Sequence, residues 1–135
     1  MDAMNSIYMA HSGLRYLVLL VGLVAALTFL AGLVAKWPPG KPLRILGGAF
    51  AGLIDLQAVL GLLMVVMGRY YPALIGHMVM MVLAGVVVHV LLVVNRKRAN
   101  PGYLLPLVAV VVALVMIVGG IMAIGRSPLG GIGLR

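Results

Sequence analysis

The sequence predicts an all-α integral membrane protein, a four-transmembrane-helix antiparallel bundle, and three observations carry that prediction. Hydrophobic residues make up 64% of the chain and charged residues only 9%, a balance outside the water-soluble class. The apolar residues gather into four runs, about 11–36, 44–67, 75–95 and 103–125, each near the roughly 20 residues a helix needs to cross a bilayer. The connections between them are short and rich in proline and glycine. Inside hydrocarbon only helices or closed barrels satisfy the backbone, and these runs lack the alternation of barrel strands. Four antiparallel helices follow.

The first run opens with His11-Ser12-Gly13-Leu14-Arg15-Tyr16 and stops at Trp37-Pro38-Pro39-Gly40, where consecutive prolines cannot continue a helix. The second carries Gly48 and Gly52 on the face of Asp55, a spacing that lets another helix approach closely. Gly68-Arg69-Tyr70-Tyr71-Pro72 ends it. The third, from Gly76-His77 to the basic stop Arg96-Lys97-Arg98, holds two of the chain's three histidines. The fourth has no polar motif. Residues 126–135 form a glycine-rich tail, too flexible for fixed structure unless a neighbour holds it. No connection is long enough for a soluble domain and no repeat is present, so residues 1–135 read as a single transmembrane domain.

Composition removes several classes of function. The chain has no cysteine, which excludes disulfides, thiolate metal sites and cysteine nucleophiles. Its net charge is +8, yet the basic residues sit at the ends of apolar runs, where they serve topology and lipid headgroups rather than nucleic acid. Lys36, Lys41, Arg44, Arg96, Lys97 and Arg98 fall on one side, and Arg15, Arg69, Arg126 and Arg135 on the other. The positive-inside rule then puts both termini outside the cytoplasm. No basic stretch precedes the first run, so the N-terminus reads as retained rather than as a cleaved signal. The only acids are Asp2 and Asp55, too few for acid–base catalysis. A non-catalytic role is the better expectation.

Histidines inside apolar spans need partners. His77 and His89 are twelve residues apart, about 18 Å along a helix, so no single ligand reaches both. His11 and His77 open helices 1 and 3 and share a membrane level, and helices 1 and 3 are diagonal in a simple bundle. That arrangement suits a flat macrocycle held by one imidazole from each side. Arg15, one turn from His11, and Arg69 are placed for haem propionates, and Met81 for the pocket wall. The competing reading is two interfacial histidines that meet water and headgroups. Asp55 and His89 come to within about 6 Å in level, which makes them a candidate polar pair inside the bundle. It is either a structural hydrogen bond or part of a proton relay. The methionines read as packing filler rather than copper ligands.

Three stretches together carry a resemblance: His11 to Tyr16, Asp55-Leu56-Gln57-Ala58-Val59-Leu60-Gly61, and Gly76-His77 through Met81 to His89. They resemble small bacterial four-helix membrane proteins that are cytochrome b-like, over helices 1 to 3. Where those proteins commonly carry an acid before the second histidine, this chain has Gly76. The resemblance implies the bacterial inner membrane, one b-type haem ligated by His11 and His77, and electron transfer within a larger respiratory or photosynthetic complex. The alternative is a cofactor-free accessory subunit of such a complex. A small transporter would show an inverted repeat or a broken helix, and quinone contact has no residue to support it.

Overall fold

The structure is a computed structural model that describes residues 2–131. It contains four helices: α1 (Ala3–Ala35), α2 (Lys41–Val66), α3 (Leu74–Lys97) and α4 (Leu104–Ala123). All four are long and apolar enough to cross a membrane, and the chain is a multi-pass membrane protein whose outer faces meet lipid. α1 packs against α2 and α4, and α3 packs closely against α4 and more loosely against α2. Among the described residues α1 and α3 make no backbone approach to each other, so they are the diagonal pair.

α1 begins eight residues earlier than the hydrophobic run suggested. Asp2 is its N-cap, and the carboxylate accepts from the Asn5 amide at 2.8 Å. Capping satisfies a backbone donor that the helix itself cannot. The helix start is therefore set by a polar residue upstream of the apolar run. As a result His11 does not open α1; it lies about 12 Å inside the helix.

The other ends follow the expected punctuation. Lys36 takes a left-handed conformation at φ 57° and the Trp37 amide bonds back to the Gly32 carbonyl at 2.9 Å. After α2, Gly68 at φ 100° turns the chain so that the Arg69 amide reaches the Met64 carbonyl at 2.9 Å, the Schellman closure that glycine permits without a Cβ clash. Arg96 and Lys97 occupy the last turn of α3, where cations complement the helix dipole. Asn95 fastens the following loop: its side chain donates to the Gly102 carbonyl at 2.9 Å and accepts from the Gly102 amide at 3.2 Å, and it is 2% exposed.

The core is made of small residues and a few large ones. Phe29, Phe50, Val88 and Val110 are fully buried among Ala25, Ala84, Ala109 and Ala113. On α1 the buried positions Tyr8, Ser12, Arg15, Val18, Gly22, Ala25, Phe29 and Gly32 recur every three or four residues, one continuous face. In lipid there is no hydrophobic drive between helices, so association rests on close van der Waals packing and polar contacts. The close approaches occur at Gly22, Gly32 and Gly120, where an added Cβ would meet side chains at 2.6–2.9 Å. They do not occur at Gly48 and Gly52, around which no atom lies within 4 Å. The spacing expected to seat a neighbouring helix is open on this chain's surface, because α2 turns Gly47, Phe50, Ala51 and Ile54 inward instead.

The Asp55–His89 pair also differs from the interior position expected. His89 Nε2 lies 2.7 Å from Asp55 Oδ1, but the side chains are 50% and 58% exposed. The loose α2–α3 seam places them at the rim, facing lipid. A polar group there has no solvent to turn to once its partner is gone. Replacing Asp55 or His89 alone by leucine should destabilise the protein by about 1–3 kcal/mol. Replacing both should recover most of that loss. Unfolding midpoints of the two single variants and the double variant in one detergent decide the matter.

Candidate functional site

Apart from the Asp55–His89 pair and Asn95, polar residues of the spans gather towards one end of the bundle, where α1 and α3 begin and α2 and α4 end. His11 from α1 and His77 from α3 face each other across the diagonal, with ring centroids 6.4 Å apart and planes at 83°. One ring, and the backbone that carries the other, are braced by neighbouring helices. His77 Nδ1 lies 3.1 Å from the Gly120 carbonyl of α4. Donation along that bond leaves Nε2 as the free lone pair of the ring. Gln57 of α2 donates to the His11 backbone carbonyl at 2.9 Å, tying α2 to α1 at the same level.

Two glycines make room for the rings. A Cβ at Gly61 would sit 3.4 Å from His11 Cε1, and one at Gly120 would sit 3.6 Å from His77 Nδ1. Met81 ends beside Gly120, its Cε 2.6 Å from that same Cβ position. The glycine of α2 under His11 and that of α4 beside His77 were legible as residues, but not as parts of the site. Their role depends on which helices become neighbours.

Four buried polar atoms have no partner among the described residues: Tyr8 Oη, His11 Nδ1, Arg15 Nε and Gln57 Oε1. All belong to this end of the bundle. Buried polar atoms in folded proteins are nearly always satisfied, and an exception points to a water, an ion or a ligand. Here one of the four is a nitrogen of the His11 ring itself, and Gln57 also bonds the His11 backbone.

The arginines occupy the same end in different ways. Arg15 is 7% exposed. It donates to the Ser12 and Tyr16 hydroxyls, each at 3.1 Å, to the Gly131 carbonyl at 3.1 Å, and to the Gly130 carbonyl. The Tyr16 hydroxyl also donates to the Gly130 carbonyl. Of the tail expected to be flexible, residues 126–131 therefore turn back and are held by Arg15 and Tyr16; residues 132–135 lie outside the described residues. Arg69 places its guanidinium 4.0 Å from the centroid of the Tyr8 ring, and Arg126 lies 5.3 Å from the same centroid. Contacts of this kind carry cation–π attraction.

This geometry can be tested against the haem that the sequence suggests. The imidazoles placed to hold it are His11 and His77, with ring centroids 6.4 Å apart. The carbonyl bond on Nδ1 of His77 would fix the orientation of that imidazole if it held a metal. His11 and His77 are the residues that would hold the haem iron, and His77 keeps Nε2 free to do so. The donor set fits no metal held by protein alone: among the described residues no group of three His, Cys, Asp or Glu side chains comes together. Comparisons of the chain with protein families, curated proteins and solved structures return no match.

Proposed function

We propose that the protein is a membrane electron-transfer subunit that binds one b-type haem through His11 and His77, as part of a larger respiratory or photosynthetic complex in the bacterial inner membrane. The observation that carries this reading is the pair of facing imidazoles, one braced by a backbone carbonyl, amid unsatisfied buried polar atoms. When bound, such a haem supplies reversible one-electron transfer, and two imidazole ligands leave no open position for oxygen chemistry.

The chain's own residues do the rest. Gly120 orients His77, Gln57 fixes the backbone that carries His11, and Met81 packs against Gly120 beside His77. Arg15 and Arg69 are the cations that would meet propionate carboxylates, Arg15 by exchanging its tail carbonyls and Arg69 from its place on Tyr8. A reduced-minus-oxidised spectrum of the purified protein tests the reading. Sharp low-spin bands support it. Their absence in protein expressed with ample haem leaves the accessory-subunit reading, for which the Gln57 and His77 backbone bonds serve only to stitch helices together.

The charge distribution further orients the subunit with both termini outside the cytoplasm, since the loops rich in Lys and Arg share one side. Reporter fusions after Met67 and after Arg135 should both read extracytoplasmic, and a cytoplasmic signal at Arg135 would overturn the helix count or the orientation.

A further inference from the structure

The end of the bundle that holds the imidazoles also holds Arg15, Arg69 and Arg126, and no acidic side chain pairs with any of them. Among the described residues the one ion pair is His89–Asp55. Asp2 lies thirteen residues before Arg15 on α1, about 20 Å along the axis. Arg15 is nine-tenths buried, yet among the described residues its partners are two hydroxyls and two carbonyls, and its Nε has none. Those partners carry only partial charge. A buried guanidinium without a counter-ion is costly, and a charged oxygen ligand relieves that cost most directly.

A cavity of about 280 Å³ adjoins it, lined by Arg15, Arg126, Ser127 and the turn glycines Gly125 and Gly130. It lies where α4 ends and the chain folds back, at the level of the aromatic residues Tyr8 and Tyr16. Residues of that type mark the bilayer interface, where lipid phosphates sit. The opposite end of the bundle shows no such pairing of a buried cation with a cavity among the described residues.

We propose that this cavity is an oxyanion site that takes the phosphate of an anionic lipid headgroup. Arg15 and Arg126 are its cations, and the Gly130 and Gly131 carbonyls are the contacts that Arg15 exchanges when the site fills. Free inorganic phosphate shares that chemistry but lacks the acyl chains that would hold it at the interface. The proposal does not rest on haem binding, since neither His11 nor His77 lines the cavity. Arg126→Gln is the deciding variant, because the haem reading also draws on Arg15.

The test titrates the purified full chain, in a non-ionic detergent, with short-chain phosphatidylglycerol, phosphatidylcholine and inorganic phosphate, followed by native mass spectrometry and thermal unfolding. The wild type should retain phosphatidylglycerol about tenfold or more tightly than phosphatidylcholine, and Arg126→Gln should remove that preference. Ser127→Ala, which removes no charge, should weaken it less. Equal stabilisation by inorganic phosphate, lost in Arg126→Gln, would keep the oxyanion site but overturn the lipid as its source. An unchanged lipid preference in Arg126→Gln would overturn the site itself, and so would its absence in the wild type. Arg15→Gln, should it fail to fold, leaves that decision with Arg126→Gln and Ser127→Ala.

Discussion

If the proposed haem is bound, His11→Ala and His77→Ala should each abolish the low-spin reduced-minus-oxidised bands of the wild type, while His89→Ala should leave them intact. The expected effect is complete loss rather than a shift, because a bis-imidazole iron that loses one ligand loses its low-spin state. Geometry separates the three histidines. His11 and His77 rings lie 6.4 Å apart in the bundle interior, whereas His89 stands at the lipid-facing rim with its Nε2 committed to Asp55. His77→Ala also frees the Gly120 carbonyl, and so carries a stability cost of its own, about 1–3 kcal/mol for a buried acceptor left unpaired. Circular dichroism of each variant separates lost ligation from lost fold. A spectrum abolished by His89→Ala alone, with helicity intact, would move the ligand assignment to the rim.

Gly32→Val should produce a large loss of stability. A Cβ at Gly32 would lie 2.9 Å from three atoms of the Tyr103 ring. That ring cannot retreat: Phe29 lies 6.1 Å from its centroid and Trp37 6.5 Å, edge to face, and its hydroxyl donates to the Pro38 carbonyl at 3.2 Å. Overpacking of this kind costs about 1–3 kcal/mol, and more where the neighbours are pinned. Gly52→Val is the matched control, since no atom lies within 4 Å of its Cβ position. It should fall within about 0.5 kcal/mol of the wild type. Unfolding of both variants by increasing denaturing detergent measures the difference. Equal midpoints would mean that α1 and α4 do not pack at the separation described.

The contrast between these two glycines marks where sequence reasoning ends. Both sit in apolar helices, and Gly48 and Gly52 carry the more recognisable spacing. A close approach, however, belongs to two helices, and nothing in the local pattern of α2 says which of its faces α1 will cover. The same limit applies to Gly61 and Gly120, which gain a role only beside His11 and His77. Asp55 and His89 were legible as partners through their level in the membrane. Whether they faced the interior or lipid depended on how tightly α2 and α3 close.

By itself the sequence determined the membrane class, the number of helices and their antiparallel order. Each of these follows from local quantities: the length of an apolar run, the prolines and glycines that stop it, and the bilayer's demand that every backbone group be satisfied. It also singled out His11, His77, Arg15, Arg69, Met81, Asp55 and His89, because polar side chains are conspicuous against so apolar a background. Only the tertiary structure decided that α1 starts at Asp2's cap, that the imidazoles come within 6.4 Å, and that residues 126–131 fold back onto Arg15. Those outcomes depend on packing between segments far apart in the chain, where a rotation of one helix by a single residue, about 100°, changes which side chains meet.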